Sequence, residues 1–154
     1  FMEVVPRRPR IADFYRRLLS FLEKYLPLVN INPSYYEVTG LVLSVVFLYA
    51  HSIPVRILIL SGVLLSDWFD GATARKYKLL SKQGYLIDLF TDRFSELIIF
   101  FPIEITPVSW FFFGLVIINV YLAYRSVLTG KHRSLAIRFF YLVFLLLFLF
   151  LFLD

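Results

Sequence analysis

Residues 134–153 read SLAIRFFYLVFLLLFLFLFL, a run in which Arg138 is the one charged side chain. About 20 apolar residues are enough to carry a helix across the roughly 30 Å hydrocarbon core of a bilayer. The rest of the chain has the same character: of 154 residues, 60% are hydrophobic and 19% aromatic. Soluble domains are nearer half apolar, with about a quarter of their residues charged. The sequence therefore predicts an integral membrane protein of the all-α class. It contains no cysteine, which excludes disulfides, thiolate metal sites and a cysteine nucleophile. The N-terminus is basic and polar for too long to read as a cleavable signal peptide.

The net charge is +5, and its placement matters more than its size. Arg7, Arg8, Arg10, Arg16, Arg17 and Lys24 precede the first apolar run; Arg75, Lys76, Lys78 and Lys82 lie between the second and third, and Lys131 and Arg133 between the fourth and fifth. The intervening loops, 51–54 and 102–107, carry no lysine or arginine, and the second contains Glu104. That alternation fits the positive-inside rule, with the N-terminus and both basic loops in the cytoplasm of a cell-membrane protein. Because the basic residues flank apolar runs, they give no nucleic-acid site.

Two regions are expected, an N-terminal segment over 1–30 and a transmembrane domain over 31–154. Within the first, Ile11, Phe14, Tyr15, Leu18, Leu19, Leu22, Tyr25 and Leu26 recur at helical spacing, opposed by Asp13, Arg16, Arg17, Ser20, Glu23 and Lys24. This is the pattern of an amphipathic helix lying in the membrane interface. A helix packed on a further soluble domain is the alternative. Five spans follow, near 35–51, 54–77, 82–101, 107–129 and 134–153. Pro33, Pro54, Pro102 and Pro107 mark starts and turns.

Within these spans the chain places four aspartates. Asp67 and Asp70 are three apart on the second span; Asp88 and Asp92 are four apart on the third. Each pair shares a helix face. The second span ends at the basic loop from which the third begins, so both pairs lie toward one end of two antiparallel helices. Carboxylates converging at low dielectric repel strongly unless cations neutralise them. Divalent cations that prefer oxygen ligands, Mg²⁺, Mn²⁺ or Ca²⁺, would do so. The structural alternative is ion pairing to Arg75 and Arg93 with no metal. Gly71 and Gly84 stand beside the acids, where a missing side chain admits a ligand to the backbone or lets helices pack closely.

The string Asp67-x2-Asp70-Gly71-x2-Ala74-Arg75-x8-Gly84-x3-Asp88-x3-Asp92 resembles the signature of the CDP-alcohol phosphotransferases. It covers about a sixth of the chain but fixes eight positions. The resemblance implies about five to six transmembrane helices behind an interfacial N-terminal helix. It also implies transfer of a substituted phosphoryl group from a CDP-alcohol, such as CDP-diacylglycerol or an ether-lipid analogue, to an acceptor hydroxyl with release of CMP. By position, Asp67, Asp70 and Asp88 would bind metal, expected as two Mg²⁺ or Mn²⁺ ions. Asp92 would be the general base with a metal contact of its own. Gly71, Ala74, Arg75 and Gly84 would receive the CDP moiety. Such chemistry asks mainly for positioning and charge neutralisation.

Upstream the match weakens. Pro33 and Gly40 keep the family's spacing, but Ser34 and Glu37 replace its Asn and Thr. Glu37 reads first as an interfacial residue and second as an extra acid near the site. Arg125, Lys131, Arg133 and Arg138 gather toward the cytoplasmic side and suggest a phosphate-bearing acceptor, since arginine pairs bidentately with phosphate. Ordinary topology and anionic-lipid contact explain Lys131 and Arg133 as well. Asp92-Arg93-x-x-Glu96 resembles the version of the motif in members that use inositol phosphate; glycerol phosphate or serine are the alternative acceptors. His51 and His132 form no metal constellation. From other classes, a divalent-cation transporter also needs intramembrane acids, but gives no reason for Gly71, Ala74, Arg75 and Gly84. A catalytically idle scaffold gives none for four intact acids. A homodimer is left open.

Overall fold

The computed structural model describes residues 30–79, 81–101, 106–130 and 134–152. The expected amphipathic helix over 10–28 lies outside the described residues, as do Lys131, His132 and Arg133. Among the described residues there are five helices and no strand: α1 Ser34–Phe47, α2 Ile53–Lys76, α3 Lys82–Ile99, α4 Pro107–Thr129 and α5 Ile137–Phe152.

The ends of these helices follow local chemistry. Ser52 starts α2 with Pro54 in its first turn, where the missing N–H of proline is harmless. The Ser81 hydroxyl accepts from the Gly84 N–H at 2.9 Å, capping α3. Thr106 and Ser109 form a reciprocal capping box on α4. That helix ends at Gly130, whose φ of 64° is the left-handed conformation glycine adopts without strain.

Five helices stand where five spans were expected, but their lengths differ. Among the described residues only α4 is both long and apolar enough to cross a membrane on length and composition. The 14 residues of α1 reach about 21 Å at roughly 1.5 Å per residue, short of a full crossing. α2 and α3 are long enough, but they carry the acids and arginines that lower their hydropathy.

α1 packs on α2 and α3, α2 on α5, and α4 on both α3 and α5. At one end of the bundle, Phe47, Leu60, Val63, Phe100, Phe112 and Leu145 form an apolar core. The Tyr141 ring of α5 sits edge-on to Phe100 and Phe112, at 5.1 and 4.8 Å. At the other end the interior is polar. Ser44, Asp70, Arg93, Ser95, Glu96, Asn119 and Arg138 are buried, while Leu58, Phe90, Phe111, Phe140, Phe150 and Phe152 are exposed. Apolar residues outside and ion pairs inside is an unfavourable arrangement in water. In lipid it is the expected one, because intramembrane charges face the bundle interior.

Candidate active site

Four helix ends meet at the polar end of the bundle. Glu37 stands in the first turn of α1, Asp67 and Asp70 in the second half of α2, Asp88 and Asp92 in the first two thirds of α3, and Arg138 in the first turn of α5. The three- and four-residue spacings give each aspartate pair one face, and the fold sets Asp70 near Asp88 and puts Asp67 and Asp92 on one arginine.

The acids divide into two groups. Carboxylate oxygens of Glu37, Asp70 and Asp88 lie within 4.8 Å of one another. Among the described residues no lysine or arginine forms an ion pair with these three. Asp67 and Asp92 are instead bridged by a single guanidinium. Arg138 Nη1 stands 2.8 Å from Asp67 Oδ2, and its Nη2 donates to Asp92 Oδ1. The same side chain approaches Glu96 Oε1 at 3.9 Å.

A second layer fixes this bridge. Arg93 Nη1 donates to Glu96 Oε2 at 2.8 Å, and its Nη2 stands 3.6 Å from Asp92 Oδ2. Asn119, fully buried on α4, gives its Nδ2 protons to Glu96 and to the Leu135 carbonyl, and its Oδ1 accepts from the Leu135 N–H at 2.8 Å. One amide therefore ties α3, α4 and the residue two positions before α5 together, and so sets where Arg138 enters the bundle. On the other side, the hydroxyls of Ser44 and Ser95 join α1 to α3.

The glycines have specific neighbours. A Cβ on Gly40 would meet Ser66 Cβ at 3.5 Å and Asp67 Oδ1 at 3.7 Å, so α1 approaches α2 closely beside the acids. A Cβ on Gly71 would meet Arg75 Nη1 at 3.0 Å, so the Arg75 guanidinium folds over Gly71. A Cβ on Gly84 would meet the capping Ser81 hydroxyl at 3.1 Å. Ala74 is half-buried in the last turn of α2, and Arg75 is exposed.

Three of these placements differ from the sequence reading. Glu37, read first as interfacial, joins Asp70 and Asp88; an acid in the first turn of a short α1 reaches across to α2 and α3. Arg138, read as facing an acceptor phosphate, is buried among the acids themselves. Arg125 is exposed and lies off the buried stripe of Phe112, Val116, Asn119, Ala123 and Ser126, with Nη1 3.5 Å from the Tyr121 phenol. Asn119 was missed altogether, although a lone amide within VIINVYL was a visible signal.

A model of the CDP-alcohol phosphatidyltransferase family matches residues 34–153, more than three quarters of the chain. The chain belongs to that family. No curated protein and no solved structure gives a match. Members of the CDP-alcohol phosphatidyltransferase family are membrane-integral transferases of substituted phosphate groups, acting on a CDP-alcohol and an alcohol acceptor in phospholipid synthesis. Membership sets aside the cation-transporter reading. The family is generally dependent on a divalent cation, and the Glu37, Asp70 and Asp88 oxygens fit one. Neighbouring oxygens around Mg²⁺ stand about 2.9 Å apart, so carboxylates whose oxygens lie within 4.8 Å of one another would close by side-chain rotation to hold it.

Proposed function

We propose that this CDP-alcohol phosphatidyltransferase moves the substituted phosphoryl group of CDP-diacylglycerol, or an ether-lipid counterpart, onto a phosphorylated polyol such as inositol phosphate. Asp70, Asp88 and Glu37 hold one Mg²⁺ or Mn²⁺. Asp67, with Asp92 beside it, supports a second. Six carboxylates face the buried guanidiniums of Arg93 and Arg138, with exposed Arg75 at the edge. Six carboxylates less the two buried guanidiniums leave an excess of about four negative charges, which two divalent cations would balance. When bound they neutralise the diphosphate and the charge that develops as CMP leaves.

This chain's own residues do the rest. Asp92 takes the proton of the acceptor hydroxyl. The acceptor oxygen then bonds to the phosphorus that carries the lipid alcohol, and the bond from that phosphorus to the bridging oxygen breaks, so CMP departs with the bridging oxygen. Gly71, Ala74, Arg75 and Gly84 line the end of α2 and the start of α3, where the CDP moiety enters. Arg138 would meet the acceptor phosphate only after leaving Asp67 and Asp92; exposed Arg125 is a further candidate for it, as are Lys131 and Arg133, which lie outside the described residues.

The observation that carries this reading is the convergence of the eight-position string with Arg138, a cation suited to phosphate, inside it. The resemblance of Asp92-Arg93-x-x-Glu96 to inositol-phosphate users supports the acceptor, although the Glu96 carboxylate is taken up by Arg93 and Asn119 and acts through them. The test is CMP release by purified protein given Mg²⁺, CDP-diacylglycerol and, in turn, inositol phosphate, glycerol phosphate, serine and free inositol. Release that persists after exhaustive chelation, or is equally fast with free inositol, refutes it.

A further inference from the structure

The Arg138 side chain is 8% exposed, against 32% for Asp67 and 25% for Asp92. A buried guanidinium is expensive unless carboxylates pair with it. Its planar fork lets two nitrogens serve two acids at once, here one on α2 and one on α3. Those acids are also the two that the proposed reaction uses for a second metal ion and for the base. The same carboxylate oxygens cannot serve an arginine and a divalent cation at full strength together.

We propose that Arg138 is a resident counter-cation that competes with the divalent cation for Asp67 and Asp92. Without metal, Arg138 keeps the two acids together, α5 docked, and Asp92 Oδ1 occupied by a hydrogen bond. Metal loading must draw Asp67 and Asp92 away from the guanidinium, and Arg138 is then released toward the acceptor side. Arg138 is in this sense a positioning residue, and the inference rests on the proposed metal-dependent reaction. Its neighbours suit the role. Arg93 and Asn119 hold Glu96, so Arg138 keeps one carboxylate within 3.9 Å after giving up the others.

The experiment is a Mg²⁺ titration of metal-stripped, detergent-purified full-length chain, followed by its unfolding temperature, for wild type, Arg138→Met and Arg138→Lys. Arg138→Met should unfold at a lower temperature without metal, yet reach half of its Mg²⁺ stabilisation at a lower concentration. Couplings between sites typically fall in a range of roughly 5- to 150-fold, and the midpoint should drop by a factor in that range. Arg138→Lys, which keeps the charge but not the fork, should fall between the two. A purely structural arginine would lower the unfolding temperature and leave the Mg²⁺ midpoint where it was, or raise it; that result overturns the proposal. If Arg138→Met does not accumulate, the midpoint of Arg138→Lys decides alone. Wild-type protein that is stabilised by Mg²⁺ but releases no CMP with any acceptor would refute the reaction and leave the competition standing.

Discussion

Replacing Asn119 with leucine, its near-isostere, should loosen the start of α5 and with it the active site. The amide is fully used. Nδ2 bonds Glu96 Oε2 at 2.9 Å and the Leu135 carbonyl at 3.1 Å, and Oδ1 accepts from Leu135 at 2.8 Å. Interhelical hydrogen bonds in membranes average about 0.6 kcal/mol, so three of them give roughly 2 kcal/mol. A bond to a buried charged group is worth about 1.5–3 kcal/mol, and Glu96 is only 2% exposed. Together these place the loss at about 2–4 kcal/mol. At roughly 2–4 °C per kcal/mol for a chain of this size, the unfolding temperature in detergent should fall by about 4–16 °C. Asn119→Asp keeps the acceptor for the Leu135 N–H but sets a second carboxylate against Glu96, so it should do at least as much damage. An Asn119→Leu protein that unfolds within about 1 °C of wild type would refute the clamp.

Two further substitutions probe the acids. Glu37→Gln should raise the Mg²⁺ concentration needed for stabilisation by about tenfold or more, since losing even a partner of a metal ligand costs about 10–100-fold in affinity; an unchanged midpoint returns Glu37 to an interfacial role. Asp92→Asn should keep CDP-substrate affinity within a few fold but lose about 10²–10⁴-fold in turnover, as removal of a general base does, whereas Asp67→Asn should weaken Mg²⁺ and nucleotide binding together. Calorimetry and CMP release separate them, and equal loss of nucleotide affinity in both variants would make Asp92 chiefly a ligand.

Periodicity made half of the site legible. Asp67, Asp70, Asp88 and Asp92 could be placed toward one end of two successive helices because helical spacing fixes a face, and the basic loop between α2 and α3 fixes the antiparallel turn. What periodicity cannot give is the pairing of residues far apart in the chain. Arg138 is 46 residues from Asp92 on a helix that otherwise looks like a plain lipid-facing anchor. Glu37 reads as interfacial from the sequence because an acid beside a span start fits the membrane interface. Only the short, close-packed α1, with Gly40 against Ser66 and Asp67, shows how it reaches the other acids. The number of helices could be read from the apolar runs, but full crossing lengths could not, since polar first and last turns look the same whether a helix stops early or continues.

The two groups of acids follow from the same electrostatic demand met in two ways. In a medium that cannot solvate charge, a carboxylate must find a cation or take up a proton, and the bundle supplies one arginine where two acids from different helices meet. That bridge also docks α5, so the helix with the most apolar sequence is held to the site by its single charge, while Tyr141 holds it to the apolar core. Among the described residues no guanidinium bridges Glu37, Asp70 and Asp88 in this way, although the Arg75 charge acts on Asp70. A protein that pairs one set of buried acids and leaves the neighbouring set for a cation from outside keeps its fold when that cation is absent. It also leaves three converging carboxylates as the place where a first cation is bound most easily, ahead of the two that must first give up Arg138.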